Sequence, residues 1–239
     1  MKLGTYFAAA LFLFGSANAL ADDLLANQIH AQAPELPLSV IQKTLDYLES
    51  HDEIFKNSEY MAIVNFDAPS TQERFYLINL RTIEVSKIFA SHGSGSSNPK
   101  DRKTASKFSN ISGSHMSSLG FYRTFKKGEV NSQGYDGVYF KEGHWRIRLK
   151  GLSTTNSKAE DRDILVHAAG EVKVGSQMAP YVSQAYIDQY GYLGESQGCF
   201  ALAPEITDAV VQQLEGAGLI YAYSTHSKGE DFVETESNR

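Results

Sequence analysis

The sequence has one cysteine, Cys199, in 239 residues. A single thiol excludes an intrachain disulfide framework and any metal cluster built on cysteine sulfur. Basic runs are missing too: 22 Lys and Arg stand against 28 Asp and Glu, for a formal charge of −6. Without clustered cations to track phosphates, nucleic acid is excluded as a partner, and so is polybasic attachment to an anionic membrane. No stretch beyond the N-terminus approaches the roughly 20 apolar residues of a membrane-spanning helix. Internal repeats are absent. What remains is 42% hydrophobic, 11% aromatic and 21% charged residues. That is ordinary globular material, and the length suits a single β-rich domain.

Residues 1–21 read as a secretory signal. Lys2 gives a positive start, Tyr6 to Phe14 is apolar over signal-peptide length, and Ala19-Leu20-Ala21 precedes Asp22-Asp23. Ala17-Asn18-Ala19 offers a cut two residues earlier. The mature protein is therefore expected to be periplasmic or secreted, with no membrane insertion after cleavage. Export sharpens the question of Cys199, since a lone thiol in an oxidising compartment is either reactive or a small buried apolar residue. Residues 22–55 are assigned to an N-terminal lead and a helix, 56–226 to the main domain and 227–239 to a polar tail.

Asp22 to Pro37 is rich in Ala, Gln and Pro without a clear period, and is expected to be a mobile lead. Leu38, Ile41, Leu45 and Leu48 then recur at helical spacing to about Glu49. From Glu59 the period changes. Tyr60 to Phe66, Arg74 to Leu80 and the strictly alternating Ile83 to Ile88 read as strands, the last two joined by a hairpin at Arg81-Thr82. His92 to Ser118 is dense in Ser, Gly and Asn, the mark of a functional or mobile segment. Strands resume at Val138–Phe140, Trp145–Leu149 and Asp163–His167. Short helices are expected over Ala179 to Tyr190 and from Pro204, and a last strand over Leu219–Tyr223.

Two features of the C-terminal half bear on chemistry. His167 ends the apolar strand Ile164-Leu165-Val166, well placed to project into a cleft. Ser196-Gln197-Gly198-Cys199 is a polar turn that delivers a thiol just ahead of an apolar segment, with successive N–H groups near the sulfur as an oxyanion hole requires. A Cys and a His together serve nucleophilic catalysis through a thioester, but the pair alone is a weak signal. The surrounding residues sharpen it. Ile164 to Ala169, followed by Gly194 to Leu202, resembles the L,D-transpeptidase catalytic domain, whose hallmark is a histidine on a strand and then Ser-x-Gly-Cys. The blocks Ser91-His92-Gly93-Ser94-Gly95-Ser96, Lys107-Phe108-Ser109-Asn110, Gly113-Ser114, Ser117-Ser118-Leu119-Gly120-Phe121-Tyr122 and Gly151 to Asn156, with Ala159 and Arg162, are similar to the murein L,D-transpeptidase subfamily.

The resemblance covers Tyr60 to Tyr223. It implies a mainly β (α+β) fold, an L,D-transpeptidase-type β-sandwich with an N-terminal helix and a few peripheral helices. It implies Cys199 as nucleophile, His167 as base, and the Ala168 main-chain carbonyl orienting the imidazole in place of an acid. Peptidoglycan stem peptides would be the substrate and 3→3 cross-links the product. Hydrolysis of the same thioester would make the enzyme an L,D-carboxypeptidase, and a non-catalytic peptidoglycan-binding protein is the remaining alternative on this fold. A cysteine hydrolase of another amide fits the nucleophile but leaves the upstream blocks unexplained. Two departures stand out. Gln197 occupies a place where the motif commonly has His, and Glu171 to Gly194 lengthens the interval from His167 to Cys199 as a lid or a plain connector.

Ser196 and Gly198 are expected to shape the turn. His92, Asn110, Ser117, Ser118 and Tyr122 are candidates to line the substrate groove, against the alternative of solvated loop residues. Arg162 would meet a substrate carboxylate or form a surface ion pair. His92, His115, His144 and His167 lack the spacing of a zinc site. Gly93-Ser94-Gly95-Ser96 lacks the Gly-Lys-Ser/Thr of a phosphate loop. No metal and no cofactor is expected.

Overall fold

A computed structural model describes residues 23–57 and 59–226. The signal expected at 1–21 and the tail at 227–239 lie outside the described residues. Residues 23–32 form helix α1 and Leu38–Ser50 helix α2. Strands β1 (Tyr60–Asn65), β2 (Phe75–Asn79) and β3 (Val85–Ile88) follow, then a small β4–β5 ribbon (Ser97–Asn98, Asp101–Ala105) and β6 (Gly120–Thr124). Next come β7 (Val138–Lys141), β8 (His144–Gly151), β9 (Leu165–Ala168), the ribbon β10–β11 (Glu171–Val174, Gln177–Pro180) and helix α3 (Gln184–Tyr190). The chain closes with β12 (Phe200–Leu202), α4 (Pro204–Leu214) and β13 (Leu219–Tyr223).

Nine strands make one sheet in the order β12-β9-β8-β6-β13-β1-β2-β3, with β7 paired to β8. β1–β13 and β9–β12 are parallel; the other pairs are antiparallel. The sheet curls until the chain just past β3 meets β12, through a bridge between Ala90 and Leu202 and a hydrogen bond from Ser91 N to Ala201 O at 2.9 Å. One wrapped sheet therefore supplies both facing layers of the mainly β fold.

Alternation along the strands sorts side chains to two sides. Ala62, Val64, Phe75, Leu77, Ile220, Ala222, Val166, Phe200 and Leu202 point inward and share a core with Val210, Val211 and Leu214 of α4. Met61, Ile63, Tyr76, Ile78, Leu219 and Tyr221 point outward, and there Ala26, Ile29, Ala33, Ile41 and Leu45 of the N-terminal region cover them. Tyr47 of α2 stacks on Phe121 at 3.7 Å between ring centroids, and Phe121 on Tyr221 at 4.2 Å. With both faces of β1 and β2 buried, their sequences read as unbroken apolar runs.

Three expectations are corrected. The lead expected at 22–37 is ordered from residue 23 on: 23–32 is helical, and Ala26, Ile29, Ala33 and Leu36 are fully buried. Its period escaped notice because alanine occupies two of the four buried positions. The hairpin between β2 and β3 is wider than Arg81-Thr82. Residues 80–84 form the connection, organised by the Asn79 side chain accepting from Arg81 N at 2.9 Å and Thr82 N at 3.0 Å, with Ile83 left-handed at φ 62°. Residues 179–190 are not one helix: the β10–β11 ribbon turns at Gly175, and α3 starts only after Ser183, whose hydroxyl accepts the Tyr186 N–H. No described helix is long and apolar enough to cross a membrane.

Candidate active site

The parallel register pairs Val166 with Phe200 and His167 with Ala201. Since Val166 and Phe200 point into the core, His167 and Cys199 project from the opposite face, one strand apart and two residues out of step. A strand spacing of about 4.8 Å and a rise of about 3.3 Å per residue put their α-carbons roughly 8 Å apart. Both line a cleft of about 600 Å³ with Ser112, Gly113, His115, Asp161, Arg162, Asp163, Leu165, Tyr181, Glu195, Ser196 and Gln197. The Glu171–Gly194 insertion packs over this face. Val182 and Leu193 bury against Ala169 and Ala201, and Tyr181 closes one wall.

The turn before Cys199 is locked from within. The Ser196 hydroxyl donates to the Cys199 carbonyl at 2.7 Å and accepts the Gly198 N–H at 3.1 Å. Gly198 has φ +117°, a region that side chains disfavour. Gln197 is exposed at the cleft rim. The Gly198 N–H is thus already held, which removes it from the oxyanion donors expected of this turn. From outside, Ser196 N donates to His92 O at 2.9 Å and Ser94 N to Ser196 O at 2.9 Å.

Cys199 is half-buried, and its thiol donates to the Asp163 carbonyl at 3.6 Å. Burial pushes the thiol up to about 11, against the Leu165 backbone hydrogen bond and the Arg162 and Arg146 cations, which favour the thiolate. His167 Nδ1 lies 2.8 Å from the Ala168 carbonyl. A carbonyl only accepts, so Nδ1 carries the proton and Nε2 keeps its lone pair. Burial holds the ring below the ordinary imidazole value; the Ala168 hydrogen bond opposes this and Arg146 adds to it. At neutral pH both groups rest uncharged. At rest the pair is therefore not a thiolate–imidazolium.

The other candidates divide. Arg162 borders the cleft but forms no ion pair among the described residues. Its guanidinium donates to Ser109 O at 2.7 Å, Ser118 Oγ at 2.5 Å and Met116 O at 2.5 Å, fastening the wall at 109–118. Ser117, Ser118 and Tyr122 are buried and do not line the cleft. Ser117 accepts from Gly93 N at 3.0 Å, and the Tyr122 hydroxyl donates to Ser118 O at 2.9 Å. Asn110 binds Thr154 O and Ser157 Oγ at 2.9 Å each, bracing the wall from outside. His92 is 1% exposed and faces inward to Arg74 and Ser97. The polar segment 92–118 is therefore a built wall whose serines bond its own backbone.

Sequence reasoning passed over Arg146. The β8–β9 pairing of Ile147 with Val166 sets Arg146 opposite His167. Its guanidinium binds Glu142 at 2.5 Å. The alternation Trp145-Arg146-Ile147-Arg148-Leu149 held the signal: both arginines occupy the face that turns away from the core. Arg148 pairs with Asp163 at 2.9 Å, next to the carbonyl that receives the thiol. Among the described residues, no three His, Cys, Asp or Glu side chains come together to hold an ion.

A protein family described as the L,D-transpeptidase catalytic domain matches residues 32–223. Among solved structures, an L,D-transpeptidase from Mycobacterium smegmatis aligns at 16% identity and a TM-score of 0.35, covering 70% of this chain and 59% of that one. The chain thus spans less than two thirds of that structure's length. No curated protein sequence matches.

Proposed function

The chain belongs to the L,D-transpeptidase catalytic domain family, and from that premise we propose that it is a cysteine acyltransferase acting on the tetrapeptide stems of peptidoglycan, in the periplasm or outside the cell after loss of residues 1–21. The observation that carries this reading is the placement of Cys199 and His167 on one outward face of two adjacent parallel strands, opening into one cleft.

Cys199 Sγ attacks the carbonyl of the third stem residue, a diaminopimelate at its L-centre, while His167 Nε2 takes the thiol proton. The developing oxyanion is met by backbone N–H groups of the turn, those of Gln197 and Cys199 flanking the occupied Gly198 N–H. His167 returns the proton to the departing amine, D-Ala leaves, and a thioester remains. An incoming amine from a second stem then loses a proton to His167 and forms the 3→3 link as the acyl C–S bond breaks, and His167 returns that proton to Cys199 Sγ. Water in its place gives the trimmed tripeptide, the L,D-carboxypeptidase outcome.

Intact mass of the protein and of Cys199→Ala, each incubated with a carbapenem and then with disaccharide-tetrapeptide, tests this. The expected result is a drug adduct on wild type alone and loss of D-Ala from the peptide, with cross-linked or trimmed products naming the acceptor. Folded protein with a reduced thiol that gives neither adduct nor peptide change refutes it and leaves the non-catalytic peptidoglycan-binding alternative.

A further inference from the structure

Arg74, one residue before β2, has no solvent exposure. Its guanidinium donates to Ala90 O at 2.9 Å, Ala68 O at 3.2 Å and His92 Nδ1 at 2.7 Å, and lies over the Phe66 ring at 5.3 Å. No carboxylate is among these partners. A guanidinium has only donors, so His92 Nδ1 accepts and carries no proton. The ring proton therefore sits on Nε2, which donates to Ser97 Oγ at 2.9 Å. The Ser97 hydroxyl in turn donates to Glu195, whose carboxylate is closed on its far side by Arg102. Every hydrogen in this row points from the buried cation toward the carboxylate.

The row ends at the nucleophile's turn. Glu195 adjoins Ser196, and the segment that carries His92 grips Ser196 through both its N–H and its carbonyl. Segment 92–97 thus holds the turn twice, by main chain at Ser196 and by side chain at Glu195. Burial and the Arg74 and Arg102 charges hold the His92 ring down at about 2, so the row keeps its direction at any working pH. Burying a cation away from its counter-charge costs several kcal/mol, and an apolar side chain would serve stability as well or better. What the row supplies is a fixed geometry.

We propose that Arg74, His92, Ser97 and Glu195 form a one-directional hydrogen-bond row that positions the Ser196–Cys199 turn for acyl transfer. Its members are positioning residues, and the proposal rests on the reading of Cys199 as nucleophile.

The test compares Ser97→Ala and Ser97→Thr in D-Ala release, thermal unfolding and alkylation of Cys199 by iodoacetamide. Misplacing a reacting group by an ångström slows a reaction on the order of 100-fold. Folded Ser97→Ala is expected to lose roughly 10- to 100-fold in kcat with KM nearly unchanged, and Ser97→Thr to recover most of it. Alkylation should become several-fold faster, because the thiol leaves its seat on the Asp163 carbonyl. An unchanged kcat in folded Ser97→Ala, or no recovery with Thr, overturns the proposal. If Ser97→Ala does not fold, Glu195→Gln, which keeps an oxygen for Ser97, is compared with Glu195→Ala. Retained turnover in the first alone supports the row, and equal losses overturn it. If wild type releases no D-Ala, the transpeptidase reading fails by itself. The row is then judged on alkylation, where an unchanged rate in Ser97→Ala overturns it.

Discussion

Gly198 lies so close to the Met116 carbonyl oxygen that a methyl on its α-carbon would come within 2.7 Å of it, and within 3.0 Å of Arg162 Nη2. The Ser196–Cys199 turn and the 109–118 wall are therefore fitted to each other with no room for a side chain. Gly198→Ala should strain the turn by about 1–3 kcal/mol from its positive φ and push the wall away. The expected outcome is a folded protein whose acylation by a carbapenem falls by roughly 100-fold, read by time-resolved intact mass. Unchanged acylation would show that the fit is incidental.

Arg162 holds that wall by a planar fork reaching three acceptors. Lysine carries the charge but cannot span Ser109, Met116 and Ser118 at once. Arg162→Lys is therefore expected to behave almost as Arg162→Ala, with raised KM for the tetrapeptide and faster proteolysis between Lys107 and Ser118. If Lys restores wild-type kinetics, the charge matters and the fork does not.

The neutral thiol and the neutral imidazole each set a pH response of their own. With the thiol at about 11, alkylation of Cys199 should climb about tenfold per pH unit from 7 to 10, following the thiolate fraction. Acyl transfer as proposed needs His167 neutral. Since that ring titrates below the ordinary imidazole value, activity should persist below pH 6.5 and be lost only as the ring gains its proton. Arg146→Gln removes one of the causes of the depression, so its acidic limb should move to higher pH. A thiol that alkylates at a constant rate from pH 7 upward would contradict the buried, protonated resting state.

Ile29 of α1 is fully buried against the outer face of the sheet. Ile29→Ala should cost about 2–5 kcal/mol, seen as a lower midpoint in denaturant, while kcat at 25 °C stays as it was. A matching loss of kcat in folded protein would mean that the N-terminal helices shape the cleft.

What the sequence disclosed follows from how each element is buried. Tyr60–Phe66 and Leu219–Tyr223 announced themselves because both of their faces are covered and nearly every position is apolar. Cys199 and His167 were legible because a Ser-x-Gly-Cys turn and a strand-end histidine are local patterns. The wall residues were not. Whether Ser117 or Tyr122 faces a cleft or the interior depends on partners such as Gly93 that are distant in sequence. Arg74 was silent for a related reason: an arginine ahead of a strand reads as a surface charge, and only the curl of the sheet buries it. The segment that begins with α1 hid its period, because two of its four buried positions are Ala26 and Ala33, which carry little hydropathy contrast.

The bridge between Ala90 and Leu202 is a seam, and the Ser196–Cys199 turn is sewn into it. Ser97 and Glu195 are 98 residues apart in the chain, so the thiol's surroundings are assembled from two halves that meet only when the sheet wraps round. An unfolded or half-folded chain carries an ordinary cysteine with no base beside it and no held turn. Opening this one edge would release the turn while most of the sheet stood intact.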